Sequence, residues 1–236
     1  MLKIVTVLKR PDLNIYNGQD RALYPEHVYK IRDMCKQHIS LDYDFFCLTD
    51  HLEMDCNIIP LQHNFPGWFS KMELYKIQGP VLYFDLDIVI LNNLDSYISS
   101  LKDDCFYTTY DSKPTVDRIN TSIMYWSNNM SFLYEGFLKL PFWEQWQVPR
   151  RYFSGDQRVV RYLLRTRKHN CNWAPLISGR RSEIISYKGL IKWNEIQKIK
   201  LARRGKTIDP SLMWKDKKIV WFHGYPRPWQ QSIIPY

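Results

Sequence analysis

Two aspartates stand in the middle of an otherwise apolar run, GPVLYFDLDIVIL at residues 79–91. A buried carboxylate is costly unless a counter-charge or hydrogen bonds compensate it. If the run forms one strand, side-chain alternation places Asp85 and Asp87 on the same side, where their charges repel unless a proton or a cation is shared. A hard divalent ion such as Mn²⁺ or Mg²⁺ takes oxygen ligands and would neutralise the pair. The alternative is a strand-end pair that caps a helix or faces solvent, and the apolar IVIL after the pair disfavours the solvent-facing version.

A second stretch with suitable chemistry lies near the other end of the chain, WFHGYPRPW at residues 221–229. The imidazole of His223 is a good ligand for Mn²⁺-like ions. Arg227 follows in the same proline-containing loop and could hold a phosphate by two hydrogen bonds. On the residue types alone, a structural role for His223 is as well supported as a ligand role.

The elements that would position these residues alternate along the chain. Apolar runs predict strands at LKIVTVL, DFFCLTD, NIIPL, PVLYFDLDIVIL, CFYTTYD and NTSIMYW. Apolar residues at near-helical spacing predict helices at YPEHVYKIRDMCKQHI, SFLYEGFLKL and DQRVVRYLLRT. GWFSKMELYKI is also predicted to be helical. This alternation predicts an α/β domain with a mainly parallel central sheet. In such sheets ligands gather at the carboxyl ends of the strands, where the D-x-D pair would lie.

The composition is that of a globular protein. The 236 residues are 45% hydrophobic and 15% aromatic, too apolar for a disordered chain. The opening MLKIVTVLKR is too short an apolar run for a signal peptide, and no run approaches the roughly 20 residues of a membrane span. We therefore expect a cytoplasmic protein. The five cysteines are scattered and form no C-x-x-C pair, which favours buried thiols over disulfides or a zinc site.

Charge is unevenly distributed. Residues 1–149 carry a net charge of −6 and residues 150–218 one of +14. Such asymmetry favours an anionic partner for the second half, namely nucleic acid, a membrane surface or a charged glycan. The alternative is a merely solvated basic face. The sequence shows no convincing domain boundary, so we predict one domain over 1–236, with 1–149 mainly binding a donor and 150–236 facing an acceptor.

As a set, the motifs resemble GT-A-fold glycosyltransferases, especially family 8 and the glycogenin-like enzymes. VTVLK resembles the family's first strand, and GWFSKMELY its lysine-bearing helix. VLYFDLDIVIL resembles the metal-binding D-x-D strand. INTSIMYW, SGDQRVV and WFHGYPRPW resemble the Asn-Ser-Gly segment, the Gly-Asp-Gln segment and the C-terminal His…Lys-Pro-Trp element. The resemblance spans nearly the whole chain and implies a Rossmann-like GT-A domain.

The resemblance also implies roles for single residues. Asp87 and His223 would bind the metal, and Asp85 would touch both the metal and the nucleotide ribose. Contacts to the donor would come from Lys71 near its phosphates or sugar, from Arg227 on the diphosphate, and from the strand around Val7 to Lys9 beside the base. Facing the donor sugar and the reaction centre would be Asn120, Asp156 and Gln157.

The chain departs from the family pattern in two places. Asn120 is followed by Thr121 and Ser122, so the glycine of the Asn-Ser-Gly segment is absent. The spacing from His223 to Arg227 is shorter than that between the histidine and the lysine in glycogenin-like enzymes.

The segment SGDQ also has a structural interpretation. It is typical of a helix start, with Ser154 or Asp156 as the capping residue.

The chemistry implied is metal-dependent transfer of a sugar from a nucleotide-diphosphate sugar, a UDP-sugar above all, with retention of the anomeric configuration. Basic residues near aromatics suit a polyanionic acceptor. We expect a hydroxymethylated pyrimidine base in DNA, ahead of a lipopolysaccharide, capsule or other glycan. A non-catalytic carbohydrate- or nucleic-acid-binding protein on a degenerate transferase fold is the alternative of another class. The arginines behind the DNA hypothesis are Arg150, Arg151, Arg165, Arg167, Arg180, Arg181, Arg203 and Arg204.

Overall fold

The computed structural model describes residues 1–10, 22–65, 67–110, 118–140, 155–166, 172–176, 183–203, 214–222, 226–232 and 234–236. The chain divides into two compact units. The first unit comprises Met1–Val28, Asp42–Leu86 and Leu101–Leu176. The second unit comprises Tyr29–Leu41, Asp87–Ser100 and Ile177–Tyr236. The predicted single domain and its functional division at residue 149 stay predictions.

The first unit is built on a seven-stranded sheet. Its strands are β1 (Leu2–Leu8), β2 (Tyr43–Thr49), β3 (Asn57–Pro60), β4 (Val81–Phe84), β6 (Cys105–Tyr110), β7 (Ile119–Trp126) and β8 (Asn172–Pro175). They lie in the order β3-β2-β1-β4-β7-β6-β8. Only β7 runs against the others, because its pairings with β4 and β6 are antiparallel and the remaining pairings are parallel. The predicted α/β class with a mainly parallel sheet is confirmed.

The central strands of this sheet are buried on both faces. β4 is buried along its whole length, and so is β7. The run of β4, VLYF, is apolar throughout, as is typical of a strand that is covered on both faces, whereas β7 also buries the polar residues Asn120, Thr121 and Ser122. A single core cluster contains strand residues such as Tyr83 and Trp126 together with residues of the helices that follow.

The predicted helices are confirmed, with one difference in type. They are α1 (Pro25–His38), α3 (Ser131–Leu138), α4 (Gly155–Thr166) and a 3₁₀ helix over Gly67–Lys76. The 3₁₀ helix corresponds to the predicted helix GWFSKMELYKI. All seven residues from Phe69 to Tyr75 are buried, so packing on every side, rather than one amphipathic face, holds this segment. Among the described residues, no helix is long and apolar enough to cross a membrane.

The long strand predicted over PVLYFDLDIVIL is wrong. β4 ends at Phe84, and a second strand, β5 (Ile88–Ile90), belongs to a different sheet. Asp85, Leu86 and Asp87 form the connection between them. Leu86 and Asp87 lie in a turn, after which the chain enters the second sheet. The alternation that would place both carboxylates on one side therefore does not apply.

The second unit has its own three-stranded sheet, formed by β5, β9 (Ile184–Ser186) and β10 (Ile219–Trp221). The strands lie in the order β5-β10-β9, and β10 runs antiparallel to β5 and parallel to β9. The short helix α2 (Asp95–Ser99) and the helix α5 (Tyr187–Ala202) also belong to this unit. The sequence did not reveal α5, because its charged residues obscure the apolar spacing. Ser186 caps it by accepting a hydrogen bond from the Gly189 N–H at 3.0 Å.

The predicted buried thiols are found at two positions. Cys35 and Cys47 are buried, and burial raises the pKa of the Cys35 thiol. Cys56 and Cys105 are partly exposed, so the prediction is wrong for these two. Cys171 lies outside the described residues.

Candidate active site

Polar side chains collect at one edge of the first unit's sheet. β1, β2 and β4 run in parallel and end there, followed by Lys9, Asp50 and Asp85. β7 runs the opposite way, so its first residues reach the same edge. Carboxyl ends of parallel strands leave backbone groups and the following side chains open to a ligand. The edge is therefore the natural place for a site in this unit.

Asp85 is held at this edge by three contacts. Its backbone N–H donates to the Ser122 carbonyl at 2.8 Å, which continues the pairing of β4 with β7 by one residue. The Tyr83 hydroxyl donates to Oδ1 of Asp85 at 2.5 Å. The Lys71 ammonium lies 2.8 Å from the same oxygen. The Asp85 side chain retains 19% exposure, so it can still meet a ligand.

Lys71 joins two carboxylates that are distant in sequence. Its ammonium nitrogen lies 2.8 Å from Asp85 and 3.4 Å from Oδ2 of Asp156. It also lies 5.4 Å from the centre of the Tyr83 ring. The lysine side chain is only 11% exposed, and an ammonium so far removed from water needs these negative partners. The negative charge of Asp85 is thus compensated by the Lys71 ammonium and by the hydrogen bond from the Tyr83 hydroxyl.

Asp156 lies in the first turn of α4, directly after Gly155 with its positive φ of 74°. Its Oδ2 accepts a hydrogen bond from the Thr121 hydroxyl at 2.6 Å, in addition to the contact with Lys71. Its carboxylate makes no bond to a backbone N–H of the described residues, so the predicted capping role of Asp156 is wrong. Ser154, the other predicted cap, lies outside the described residues. The structure therefore brings Lys71, Asp85 and Asp156 together, as three of the predicted site residues.

Asn120 and Gln157 lie next to this cluster in sequence but use their side chains locally. Oδ1 of Asn120 accepts a hydrogen bond from the Ser122 N–H at 2.9 Å. The Thr109 hydroxyl donates to the Asn120 carbonyl at 2.8 Å and lies 3.2 Å from Oδ1. These bonds stabilise an irregularity where the register between β6 and β7 shifts. Oε1 of Gln157 accepts from Arg161 at 3.4 Å. Asn120 thereby shapes the segment that carries Thr121.

Val7 and Lys9 occupy different environments. Val7 is buried in β1 as part of the core cluster. The Lys9 ammonium lies 2.6 Å from Oδ2 of Asp50 and 2.8 Å from Oδ1 of Asn64. Partial burial acts to raise the pKa of Asp50, but the hydrogen bonds from Lys9 and the Arg10 N–H and the charge of Lys9 outweigh it and leave the pKa lowered. Lys9 is thus engaged with a carboxylate at the end of β2.

The second unit carries the other predicted residues. Asp87 forms an ion pair with Arg227, and its carbonyl accepts a hydrogen bond from the Phe222 N–H at 3.0 Å. Burial, and then the negative charge of Asp87, raise the pKa of Tyr236. His223 lies outside the described residues. Among the described residues, no group of three or more His, Cys, Asp or Glu side chains is arranged to hold a metal ion.

Sequence reasoning missed two hydroxyl donors, Tyr83 and Thr121. Tyr83 precedes Asp85 by two residues in an apolar strand, so its type suggested only core packing. Thr121 stood out as part of the departure from the Asn-Ser-Gly pattern, but nothing in the sequence paired it with Asp156.

No family model matches this chain, and no curated protein matches it in sequence. Solved structures do match. A crystal structure of the galactosyltransferase LgtC in complex with donor and acceptor sugar analogues superposes with a TM-score of 0.54 at 14% identity, over 98% of this chain and 90% of LgtC. An active-site mutant of LgtC gives a TM-score of 0.50 at 12% identity. The apo form of the glycosyltransferase GlyE from Streptococcus pneumoniae TIGR4 gives 0.55 at 11% identity, over 98% of this chain but 56% of GlyE.

The chain has the GT-A fold. Near-complete coverage of LgtC, together with the mainly parallel seven-stranded sheet, confirms the predicted fold class. At these identities the likeness concerns the fold, and membership of glycosyltransferase family 8 stays a prediction. The chain spans little more than half the length of GlyE.

Proposed function

We propose that this GT-A protein is a glycosyltransferase that moves a sugar from a nucleotide-diphosphate sugar, a UDP-sugar above all, to a hydroxyl acceptor. The observation that carries the proposal is the cluster of Lys71, Asp85 and Asp156 at the carboxyl edge of the sheet. A lysine between two largely buried carboxylates is costly in stability, which favours a functional reason for keeping the three charges together. Such clusters of interacting charges are typical of functional sites.

We further propose that a divalent ion, Mn²⁺ or Mg²⁺, is bound by Asp85, Asp87 and His223. Carboxylate oxygens and imidazole are suitable ligands for Mn²⁺. One oxygen of Asp85, Oδ2, has no partner among the described residues of its unit, and the side chain is partly exposed. That donor chemistry fits an oxygen-seeking cation. When bound, such an ion neutralises the charge that develops on a diphosphate leaving group.

Residues of the chain have separate roles in this reaction. Lys71 and Arg227 provide positive charge for the donor phosphates, which stabilises the departing diphosphate. Asp156, with Gln157 and Asn120, faces the donor sugar, where a carboxylate stabilises an oxocarbenium-like centre or orients the acceptor hydroxyl. The segment from Val7 to Lys9 flanks the nucleotide base, and Asp85 contacts the ribose. The resemblance to family 8 supports retention of the anomeric configuration, which NMR of the product can establish.

For the acceptor we propose a glycan hydroxyl. The support is that LgtC, a structural neighbour over 98% of this chain, is known in complex with an acceptor sugar analogue. The net charge of +14 over residues 150–218 favours the second candidate, a hydroxymethylated base in DNA. Of the eight arginines behind that hypothesis, Arg165 and Arg203 are described, and both are exposed.

A donor screen tests the proposal. Thermal unfolding is measured with a panel of nucleotide sugars, with and without Mn²⁺, because a bound donor stabilises the folded state by mass action. The stabilising donor is then used in transfer assays with lipid-linked glycans and with hydroxymethylated duplex DNA. We expect Mn²⁺-dependent stabilisation by a UDP-sugar and transfer to one acceptor class. A lack of both hydrolysis and transfer with every donor contradicts the proposal and favours the binding-protein alternative.

We further propose that the protein is located in the cytoplasm.

A further inference from the structure

The two carboxylates of the first unit's cluster share one pattern of contacts. Oδ1 of Asp85 receives the Tyr83 hydroxyl at 2.5 Å and the Lys71 ammonium at 2.8 Å. Oδ2 of Asp156 receives the Thr121 hydroxyl at 2.6 Å and the same ammonium at 3.4 Å. In both residues, one oxygen therefore takes a hydroxyl and the ammonium together.

The other oxygen of each carboxylate is left open. Oδ2 of Asp85 and Oδ1 of Asp156 make no hydrogen bond or ion pair to any described residue of this unit. An ionised carboxylate accepts at both oxygens, with about four lone-pair positions in all. Concentrating the donors on one oxygen fixes the rotation of the carboxylate group and leaves the second oxygen for a ligand.

The hydroxyl donors are attached to rigid elements. Tyr83 belongs to β4 and Thr121 to the neighbouring antiparallel strand β7, and both residues are almost completely buried. Lys71 alone, on a long flexible side chain, would leave the carboxylates free to rotate. A buried hydroxyl on a central strand supplies the fixed direction that the lysine lacks, as outer hydrogen-bond partners do for metal-binding side chains.

We propose that Tyr83 and Thr121 are positioning residues of this active site. With Lys71 they hold one oxygen of each carboxylate, so that Oδ2 of Asp85 meets the divalent ion and ribose, and Oδ1 of Asp156 meets the transferred sugar. The proposal rests on the proposed function and assigns roles to two residues that only the tertiary structure identifies.

Thr121 is tested by steady-state kinetics on the full chain. Thr121→Val removes the hydroxyl with little change in volume, whereas Thr121→Ser keeps it. We expect the valine variant to lose about 10–100-fold in kcat, with the donor KM changed less than about threefold, and the serine variant to recover most of the loss. Thr108→Val is the matched control, because it removes a buried hydroxyl that accepts a hydrogen bond from the Trp173 indole N–H at 2.8 Å and contacts neither carboxylate. Equal kcat values for the valine and serine variants overturn the role of Thr121.

Tyr83 is tested by a binding measurement. Tyr83→Phe removes only the hydroxyl, and the affinity for Mn²⁺ in the presence of UDP is measured by calorimetry. We expect the affinity to fall about 10–100-fold. Tyr125→Phe is the control, since it removes a buried tyrosine hydroxyl that donates to Asp103 at 3.3 Å. Unchanged Mn²⁺ affinity in Tyr83→Phe overturns its role.

Crystal structures of Thr121→Val and Tyr83→Phe separate this proposal from the proposed function. If the wild-type protein transfers no sugar and binds no Mn²⁺, the proposed function fails, and the orientation of the carboxylates still decides whether Tyr83 and Thr121 position them. Rotation of Asp156 in Thr121→Val and of Asp85 in Tyr83→Phe supports positioning. Carboxylates that keep their wild-type orientation in both variants overturn it.

Discussion

The Lys71 ammonium lies between Asp85 and Asp156, 2.8 Å from the first and 3.4 Å from the second. The positive charge of one lysine, from a 3₁₀ helix, thus compensates both the carboxylate that follows β4 and the carboxylate in the first turn of α4. The compensation of Asp85 is therefore internal to the first unit, and Asp87 finds a separate partner, Arg227, in the second.

Removal of Lys71 is predicted to destabilise the fold. Lys71→Met leaves two nearby carboxylates without their shared cation, and we expect the free energy of unfolding to fall by about 2 kcal/mol, less than for a fully buried pair because Asp85 is partly exposed. Urea unfolding measures the change. In a double-mutant cycle, adding Asp156→Asn to Lys71→Met should cost less than Asp156→Asn alone. Strictly additive effects would show that the two side chains do not interact.

Asp87 is predicted to be required for metal-dependent donor binding. We expect Asp87→Ala to abolish the part of the donor-induced thermal shift that depends on Mn²⁺, because a metal ligand is lost. Asp216→Ala is the control, since Asp216 is an exposed aspartate of the same unit that also pairs with a basic residue, Lys217. A Mn²⁺-dependent shift that persists in Asp87→Ala refutes the metal assignment.

The pair of Lys9 and Asp50 is predicted to make stability depend on acid pH. The pKa of Asp50 is lowered in the folded state, so its contribution is present above the unfolded-state pKa of about 3.9 and is lost as the pH falls through the lower folded value. Asp50→Asn should therefore lower the melting temperature at neutral pH, and its difference from the wild type should narrow below about pH 4. Lys9→Met should give the same profile. A difference that is constant with pH would contradict the lowered pKa.

Tyr125 is predicted to make stability depend on alkaline pH. Burial, and then the nearby negative charge of Asp103, raise the pKa of Tyr125 to about 12. Its contribution is present below the unfolded-state pKa of about 10 and is lost as the pH rises toward the folded value. Wild-type stability should thus fall more steeply between pH 10 and 12 than that of Tyr125→Phe, as measured by denaturant unfolding. Asp103→Asn should fall less steeply than the wild type, and identical slopes in all three proteins would refute the raised pKa.

The sequence by itself determined the class of fold and most of its elements. Continuous apolar runs such as that of β1, and apolar spacing such as that of α4, specify strands and helices because they reflect burial of neighbouring residues. The order of the motifs pointed to Lys71, Asp85 and Asp156 as site residues, and the structure brings these three together.

Only the tertiary structure decided how those residues are used. The apolar run around Asp85 and Asp87 looks like one strand, yet β4 and β5 belong to different sheets, because the path of the chain depends on strands far away in sequence. Thr121 meets Asp156 only because an antiparallel strand places its first residues at the carboxyl edge of the sheet. Hydrogen bonds between distant residues leave no periodic pattern in the sequence, and the fold alone creates them.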